Sequence, residues 1–397
     1  MSMDYERYLN PAIAAVPPSG IRKFFDLASS MQDTISLGVG EPDFKTPYHI
    51  RDKAINSLID GETQYTANRG LQELREEISL YMQERYGVCY DPKTEMIVTI
   101  GASEAIDIAL RATVAPGDEV LVPEPSYVSY APGVVFAGGT PKAVVTRESD
   151  DFRLQAADLE AAINKRTKAL ILPYPNNPTG AIMEKADLEK IAEVIRKHRI
   201  LVISDEIYSE LIYDGKEHTA FASLPGMWEY TLTINGFSKA FAMTGWRVGY
   251  VCGAEELISV MNKIHQYTIM CAPRQAQVAA AEALRTGREN GYEDVLHMRD
   301  SYDRRRRLMV SGFREMGLHC FEPYGAFYVF PSIRNTGMTS DVFCSRLLQE
   351  QRVACVPGTA FGPSGEGNIR CSYATGMDKL MTALERIGAF IRKETGK

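Results

Sequence analysis

The sequence lacks an apolar run long enough to span a bilayer, and residues 1–20 lack the apolar core of a secretory signal. The seven cysteines are scattered, and no two of them have the close spacing of a zinc or redox motif. These absences argue against a membrane-spanning helix, a cysteine-based metal site and a disulfide-rich secreted fold. They predict a cytoplasmic protein with reduced thiols and no metal.

The chain also lacks an excess of basic residues. It carries 44 Lys and Arg against 51 Asp and Glu, which gives a net charge of −7 and argues against nucleic-acid and membrane-surface partners. A run of arginines at 304–307 is predicted to be the solvated face of a helix. With 45% hydrophobic and 24% charged residues the composition is that of a globular protein, and 397 residues predict two domains.

Predicted strands and helices alternate along the first two thirds of the chain, and the helices include one from Tyr127 and one over 185–198. Such alternation predicts an α/β fold, with a mostly parallel sheet flanked by helices on both faces. Long helices follow, and then a smaller α+β region with strands over 324–330, 352–356 and 368–373. A helix is also predicted over 21–30. The predicted large domain spans 47–290, and the small domain combines 1–46 with 291–397.

Polar or aromatic side chains follow the ends of five predicted strands. Ligands of open α/β sheets bind at the carboxyl ends of the strands, so these side chains are expected to converge. The five strand ends read Ile100-Gly-Ala-Ser103, Pro123-Glu-Pro-Ser-Tyr127, Pro173-Tyr-Pro-Asn-Asn-Pro-Thr-Gly180, Ser204-Asp-Glu-Ile-Tyr208 and Phe237-Ser-Lys239.

These strand ends supply complementary chemistry. A lysine such as Lys239 becomes a nucleophile for carbonyl compounds when its pKa is lowered, although a surface lysine is the alternative. Arg247 can meet a phosphate with two N–H groups or simply form a salt bridge. The helix start at Gly101 offers free N–H groups to an anion, and Ser103 could equally be its N-terminal cap. Asp205 ends an apolar strand, where a carboxylate is costly unless it is paired.

A lysine nucleophile, a phosphate site, an aromatic face and a buried carboxylate together predict pyridoxal phosphate as cofactor. At this point the chain resembles the class I and II aminotransferases of fold type I over nearly its whole length. The motifs that carry the resemblance are Val39-Gly-Glu-Pro-Asp-Phe44, Tyr65, Gly101-Ala-Ser103, Tyr127, Asn177-Pro-Thr-Gly180, Asp205-Glu-Ile-Tyr208, Ser238-Lys239, Arg247 and Ile369-Arg-Cys-Ser-Tyr-Ala374.

The resemblance implies roles for residues around the cofactor ring. Lys239 would hold the cofactor as a Schiff base and later carry the proton between the substrate Cα and the cofactor. Asp205 would pair with the ring nitrogen. Asn177 and Tyr208 would contact the ring oxygen, and Tyr127 would stack on the ring.

The resemblance also implies contacts at the phosphate and at the substrate. Ala102, Ser103 and Arg247 would hold the phosphate, with Tyr65 reaching the phosphate of a neighbouring subunit, so that a homodimer with shared active sites is expected. Arg370 would bind the substrate α-carboxylate, assisted by Asn177 and the backbone at Gly40.

The sequence departs from the family pattern at Gly236. Many relatives carry a hydroxyl at this position, three residues before the lysine, where it contacts phosphate. Ser238 is also predicted to contact the cofactor, but whether it replaces that hydroxyl is left open.

Substrate choice is less explicit in the sequence. Some aspartate-specific relatives carry a lysine where this chain has Ser103, which argues against strict aspartate specificity. Aromatic residues expected near the pocket favour an aromatic or broad substrate range, and they are Tyr324, Phe327 and Phe361. The resemblance to the family suggests 2-oxoglutarate as the amino acceptor. A cysteine–sulfur β-lyase on the same scaffold and a cofactor-binding regulatory module are the alternatives.

Overall fold

A computed structural model describes residues 3, 5–21 and 31–396 of the chain. The predicted helix over 21–30 lies outside these residues, apart from Ile21. In chain order the strands are β1 (Ile35–Ser36), β2 (Met96–Thr99), β3 (Glu119–Glu124), β4 (Thr140–Val145), β5 (Thr167–Leu172), β6 (Leu201–Asp205), β7 (Thr231–Gly236), β8 (Gly249–Cys252), β9 (Tyr328–Val329), β10 (Val353–Ala354), β11 (Val356–Pro357) and β12 (Ile369–Ser372).

The helices cover most of the remaining chain. They are α1 (Pro11–Ala14), α2 (Tyr48–Ile59), α3 (Gln72–Tyr86), α4 (Gly101–Thr113), α5 (Tyr130–Phe136), α6 (Ala156–Ala162), α7 (Lys185–His198), α8 (Glu255–Thr268), α9 (Arg274–Asn290), α10 (Glu293–Glu315), α11 (Ser340–Gln351) and α12 (Met377–Thr395). Among these described helices, none combines the length and the apolar character that a bilayer crossing needs.

A seven-stranded sheet with the order β2-β8-β7-β6-β5-β3-β4 forms the centre of the molecule. Strands β3 to β7 pair in parallel, and β8 runs antiparallel to both β7 and β2. Strands β2 and β6 are almost entirely buried, as expected where helices cover both faces of a parallel sheet. The arrangement confirms the predicted α/β class with a mostly parallel sheet.

A smaller sheet lies beside the large one. It has the order β11-β12-β9 with antiparallel pairing, and Arg370 lies opposite Val356 in its register. Strand β1 joins this region by parallel pairing with β10, where Ile35 lies opposite Val353. Helix α12 contacts both α10 and α11, each of the three helices contacts at least one of these short strands, and together they form the smaller α+β part. The bounds 47–290, and 1–46 with 291–397, stay a prediction.

Several predicted elements differ at their ends. The helix predicted from Tyr127 begins at Tyr130, and the strand predicted over 324–330 is reduced to β9. The long predicted helical stretch is broken between α9 and α10, where Gly291 and Tyr292 both have left-handed backbone conformations with φ of 71° and 61°. A helix cannot continue through two such residues.

The prediction of a solvated arginine face at 304–307 is wrong for Arg305 and Arg306. Only 1% of Arg306 is exposed, because three carboxylates and the backbone carbonyl of Pro323 surround its guanidinium. Arg305 pairs with Asp43 at 2.7 Å. The carboxylates around Arg306 are Asp214 at 2.6 Å, Asp303 at 2.8 Å and Glu322 at 2.5 Å.

Candidate active site

Lys239 lies three residues beyond the end of β7, at the carboxyl edge of the large sheet. Its Nζ donates a hydrogen bond to the Gly40 carbonyl at 2.6 Å, and it lies 5.7 Å from the ring centroids of both Tyr208 and Phe327. Burial lowers the pKa of the Lys239 amine to about 8, although the nearby Glu41 carboxylate opposes this shift. A substantial fraction of the amine is therefore neutral near physiological pH, as a nucleophile or a base requires.

Asp205 is the last residue of β6 and is 5% exposed. The Tyr130 hydroxyl donates to its Oδ2 at 2.7 Å, and the backbone N–H of Ile207 donates to its Oδ1 at 3.2 Å. Burial raises the pKa of the Asp205 carboxyl, while these two hydrogen bonds and the Lys239 amine act in the opposite direction. The sequence interpretation missed Tyr130, although its position three residues after Tyr127 could have indicated it.

Helix α4 begins at Gly101, directly after β2. No side chain caps this helix, so Ser103 does not act as its N-terminal cap, and the N–H groups of the first turn, at Ala102 and Ser103, have no side-chain partner among the described residues. The Arg247 guanidinium lies beside this turn, because its Nη2 would be 2.7 Å from a Cβ atom added at Gly101. Arg247 itself precedes β8 and has a positive φ of 53°. An uncapped helix start next to an arginine is suited to bind a phosphate group.

The strands around the lysine are packed too closely for larger residues. A Cβ atom at Gly236 would lie 3.0 Å from the Gly249 Cα and 3.2 Å from the Val248 carbonyl oxygen. A Cβ atom at Gly249 would lie 2.6 Å from the Ala102 nitrogen. The departure at Gly236 therefore has a steric reason: β7 and β8 approach each other where a hydroxyl residue is expected. Ser238 is buried nearby, and its role stays a prediction.

Arg370 lies on β12 and is 1% exposed. Its Nη1 donates to Asn177 Oδ1 at 2.9 Å, and its Nη2 donates to the Gly38 carbonyl at 2.5 Å. The rings of Tyr328 and Phe361 lie 4.6 and 4.9 Å from its Cζ. Its Nε has no hydrogen-bond partner among the described residues. A buried guanidinium with an unmatched N–H group is suited to bind a carboxylate.

Tyr208, next to Lys239, and Tyr328, next to Arg370, connect the residues around the lysine with those around the arginine. Their hydroxyl oxygens are 2.8 Å apart, and both side chains are buried. Burial raises the pKa of each hydroxyl, so both stay protonated at neutral pH. Tyr127 is half-buried, with its ring edge-on to Tyr130 at 5.6 Å. Tyr328 was missed in the sequence because it lies inside a predicted strand rather than at a strand end.

Two residues predicted from the sequence, Tyr65 and Tyr324, are not among the side chains that surround Lys239 and Arg370 in this chain. Tyr65 is 78% exposed, in a surface loop that Asn68 ties to the Met270 carbonyl at 2.8 Å. The Tyr324 ring packs against Lys216 rather than against the side chains around the lysine and Arg370. Within the described ranges, no group of three His, Cys, Asp or Glu side chains is placed to hold a metal ion.

Comparison with known proteins gives a consistent result. The family model described as aminotransferase class I and II matches residues 32–387. An aspartate aminotransferase of Pyrococcus abyssi is 48% identical over 96% of this chain and 97% of its own length. Aromatic-amino-acid aminotransferase 2 of Thermococcus litoralis is 44% identical over 97% and 99%. The crystal structure of an aromatic aminotransferase from Pyrococcus horikoshii superposes with a TM-score of 0.89, at 47% identity over 94% and 99% of the two chains.

Members of the matched family use pyridoxal phosphate, and the site has groups that fit each part of this molecule. Lys239 provides an amine with a lowered pKa for the aldehyde. Asp205 is a buried carboxylate without an ion-pair partner in the described part of the chain, as a protonated ring nitrogen requires. The uncapped start of α4 with Arg247 offers a place for the phosphate.

Proposed function

This chain belongs to the class I and II aminotransferase family, and we propose that it moves the amino group of aromatic or a broad range of L-amino acids to 2-oxoglutarate. One observation carries the proposal. The Lys239 amine and the Arg370 guanidinium donate to carbonyls two residues apart, those of Gly40 at 2.6 Å and Gly38 at 2.5 Å. An α-amino acid carries its amine and its carboxylate on one carbon, so a single short segment holds the groups that would meet both.

When bound, pyridoxal phosphate supplies an aldehyde for amines and an electron sink for the charge that develops at Cα. Lys239 Nζ would carry a proton between the substrate Cα and the aldehyde carbon of the cofactor, because its lowered pKa keeps part of the amine neutral. Asp205 would pair with the protonated ring nitrogen, and Tyr130 favours the ionised carboxylate by donating to it. Tyr208, which burial keeps protonated, would donate to the ring oxygen together with Asn177.

The remaining residues hold the two charged ends. Arg370 and Asn177 orient the substrate α-carboxylate next to the Gly40 backbone. The N–H groups at Ala102 and Ser103 would hold the phosphate with Arg247 and Ser238, and Tyr127 would stack on the cofactor ring. Each of these assignments is part of the proposal and follows from position and hydrogen-bonding capacity.

Two features support an aromatic or broad substrate range, the residue at position 103 and two phenylalanine rings. Ser103 offers no cation to a second carboxylate. The Phe327 ring lies 5.7 Å from the Lys239 amine, and the Phe361 ring lies under Arg370. The relatives include both aspartate and aromatic-amino-acid aminotransferases, so identity alone does not choose between these substrates.

A homodimer with shared active sites is also part of the proposal. Tyr65 is exposed in this chain, and apolar side chains at and just beyond the end of α8 are exposed too. A partner subunit could cover them and receive Tyr65 at its own cofactor phosphate. Among them are Tyr267, Ile269 and Met270, of which 86%, 40% and 43% are exposed. We also propose that the protein acts in the cytoplasm and that its domains divide as predicted above.

A panel of L-amino acids with 2-oxoglutarate tests the proposal. We expect phenylalanine and tyrosine to give kcat/KM at least about tenfold above aspartate, the discrimination that one apolar pocket contact can supply. Half-reactions, followed by the change in cofactor absorbance without any acceptor, should rank the same amino acids in the same order.

The variant Ser103→Lys is the matched probe of substrate choice. It places a cation at an exposed position, so folding should be unaffected, and it should raise kcat/KM for aspartate relative to phenylalanine. Strict aspartate preference in the wild type would contradict the proposed range. Pyruvate and ammonia from cystathionine without an acceptor would instead identify a β-lyase, and no absorbance change with any amino acid would favour the regulatory module.

A further inference from the structure

Tyr328 lies between the two halves of the site. Its side chain is fully buried, and its hydroxyl is 2.8 Å from that of Tyr208. Its ring lies against the Arg370 guanidinium, with 4.6 Å between Cζ and the ring centroid. A Cβ atom added at Gly40 would lie 2.9 Å from the Tyr328 hydroxyl oxygen. The Tyr328 side chain therefore lies against Tyr208, Arg370 and Gly40. These are the proposed donor to the cofactor ring, the proposed partner of the substrate carboxylate and the residue whose carbonyl accepts from Lys239.

The hydrogen-bonding capacity of the two hydroxyls decides which of them donates in the bond between Tyr208 and Tyr328. Each hydroxyl donates one hydrogen bond and can accept others. When Tyr208 donates its only proton to the cofactor ring oxygen, the bond to Tyr328 requires Tyr328 to be the donor. Donation from Tyr328 polarises the Tyr208 hydroxyl and strengthens the bond that Tyr208 makes.

We propose that Tyr328 is a positioning residue that links substrate-carboxylate binding at Arg370 to the hydrogen bond between Tyr208 and the cofactor. The inference rests on the function proposed above for Tyr208 and Arg370. The Tyr328 ring fixes the orientation of the guanidinium through its face, which attracts a cation. The Tyr328 hydroxyl sets how strongly Tyr208 donates. Movement of Arg370 on carboxylate binding is thereby transmitted to the cofactor ring oxygen.

Tyr328→Phe in the holoenzyme removes the hydroxyl and keeps the ring. The apparent pKa of the visible absorption band of the bound cofactor should rise by about 0.5 to 1 unit, because a ring oxygen with a weaker donor holds its shared proton more tightly. For phenylalanine, kcat should fall about 3- to 10-fold, the effect of one neutral hydrogen bond, with KM changed less than about threefold. Tyr328→Leu removes the ring as well and should also raise KM about tenfold, through the lost cation–ring contact.

Two further variants separate coupling from simple loss of packing. Tyr302→Phe is the matched control, because Tyr302 is buried in the same cluster, its ring lies 5.5 Å from that of Phe327, and its hydroxyl has no side-chain partner in the described structure. It should leave the absorption titration unchanged. Adding Tyr328→Phe to Tyr208→Phe should produce no further shift of the band.

Two results would overturn the inference: an unchanged titration in Tyr328→Phe, or shifts of the two single variants that add in the double variant. The outcome is separable from that of the proposed function. A wild-type protein that fails to transaminate any amino acid in the panel refutes the function, whereas the absorption titration of the holoenzyme still decides the role of Tyr328.

Discussion

The two sides of the site differ in the elements that build them. The residues of the cofactor side all lie at or near the ends of strands in one large sheet, whereas those of the carboxylate side come from two strands of the small sheet, the loop after β5 and the chain before α2. We define the cofactor side as Lys239, Asp205, Tyr130 and Arg247, and the carboxylate side as Arg370, Asn177, Gly38 and Tyr328.

The two sides are nevertheless alike in their electrostatics. Each contains a buried charged residue, Asp205 on one and Arg370 on the other. In the part of the chain that the structure describes, neither makes an ion pair within 4.0 Å, and both rely on neutral hydrogen-bond partners. A buried charge without a counter-charge is costly, so ligands of opposite charge are expected on both sides. Substitutions on the cofactor side and on the carboxylate side are therefore expected to have different kinetic consequences.

The largest effect is expected from Lys239→Ala on the cofactor side. Loss of the amine removes both the covalent attachment and the proton carrier, so turnover should fall by about 10⁴-fold or more. The half-reaction absorbance change and the transamination rate are the measurements. Lys190→Ala, which removes an exposed lysine on α7, should behave as the wild type. A borohydride-reduced peptide map that places the cofactor on another lysine would contradict the assignment.

Arg370→Leu is the corresponding change on the carboxylate side. It should lower kcat/KM for phenylalanine by about 10²- to 10³-fold, because the substrate carboxylate loses a buried charged partner. The cofactor absorbance of the resting enzyme should be largely retained. The test compares phenylalanine with 2-phenylethylamine, which lacks the carboxylate. An equal loss for both compounds would show that Arg370 does not bind the carboxylate.

Tyr130→Phe should have a smaller effect that depends on pH. The Tyr130 hydrogen bond lowers the pKa of the Asp205 carboxyl, so its removal raises that pKa. Because the ionised carboxylate is needed, the acid limb of the pH profile of kcat/KM should move to higher pH by about 0.5 to 1 unit. Tyr81→Phe is the control, since Tyr81 donates to another buried carboxylate, Glu210, at 2.7 Å. An acid limb that moves equally in both variants would contradict a specific link to Asp205.

The cofactor side was largely predictable from the sequence for a physical reason. Long buried strands and amphipathic helices are determined by local patterns, and helix α7 begins and ends at its predicted residues, Lys185 and His198. Parallel strands then bring their carboxyl ends to one edge, so Asp205 and Lys239 could be grouped without knowing any contact.

The residues of the carboxylate side were harder to predict from the sequence. Strand β9 has two residues, too few to show a periodic pattern, and its pairing depends on β12 some forty residues later. The Tyr328 contact with Tyr208 is therefore a product of tertiary packing. The burial of Arg306 has the same origin, because its partner Asp214 lies in a distant loop. Tyr65 could not be placed in a site by one chain alone.

The smallest effect is expected on stability, from Gly236→Ser on the cofactor side. The new side chain must fit 3.0 Å from the Gly249 Cα, so the free energy of unfolding in urea should fall by about 1 to 3 kcal/mol, as overpacked cores do. The rate of cofactor release should not slow. Gly245→Ser is the matched control, because a Cβ atom there meets no atom within 4 Å, and its stability should change by less than about 0.5 kcal/mol. Slower cofactor release in Gly236→Ser with unchanged stability would contradict this prediction. It would mean that β8 shifts to make room for the serine and that the serine hydroxyl contacts the cofactor phosphate.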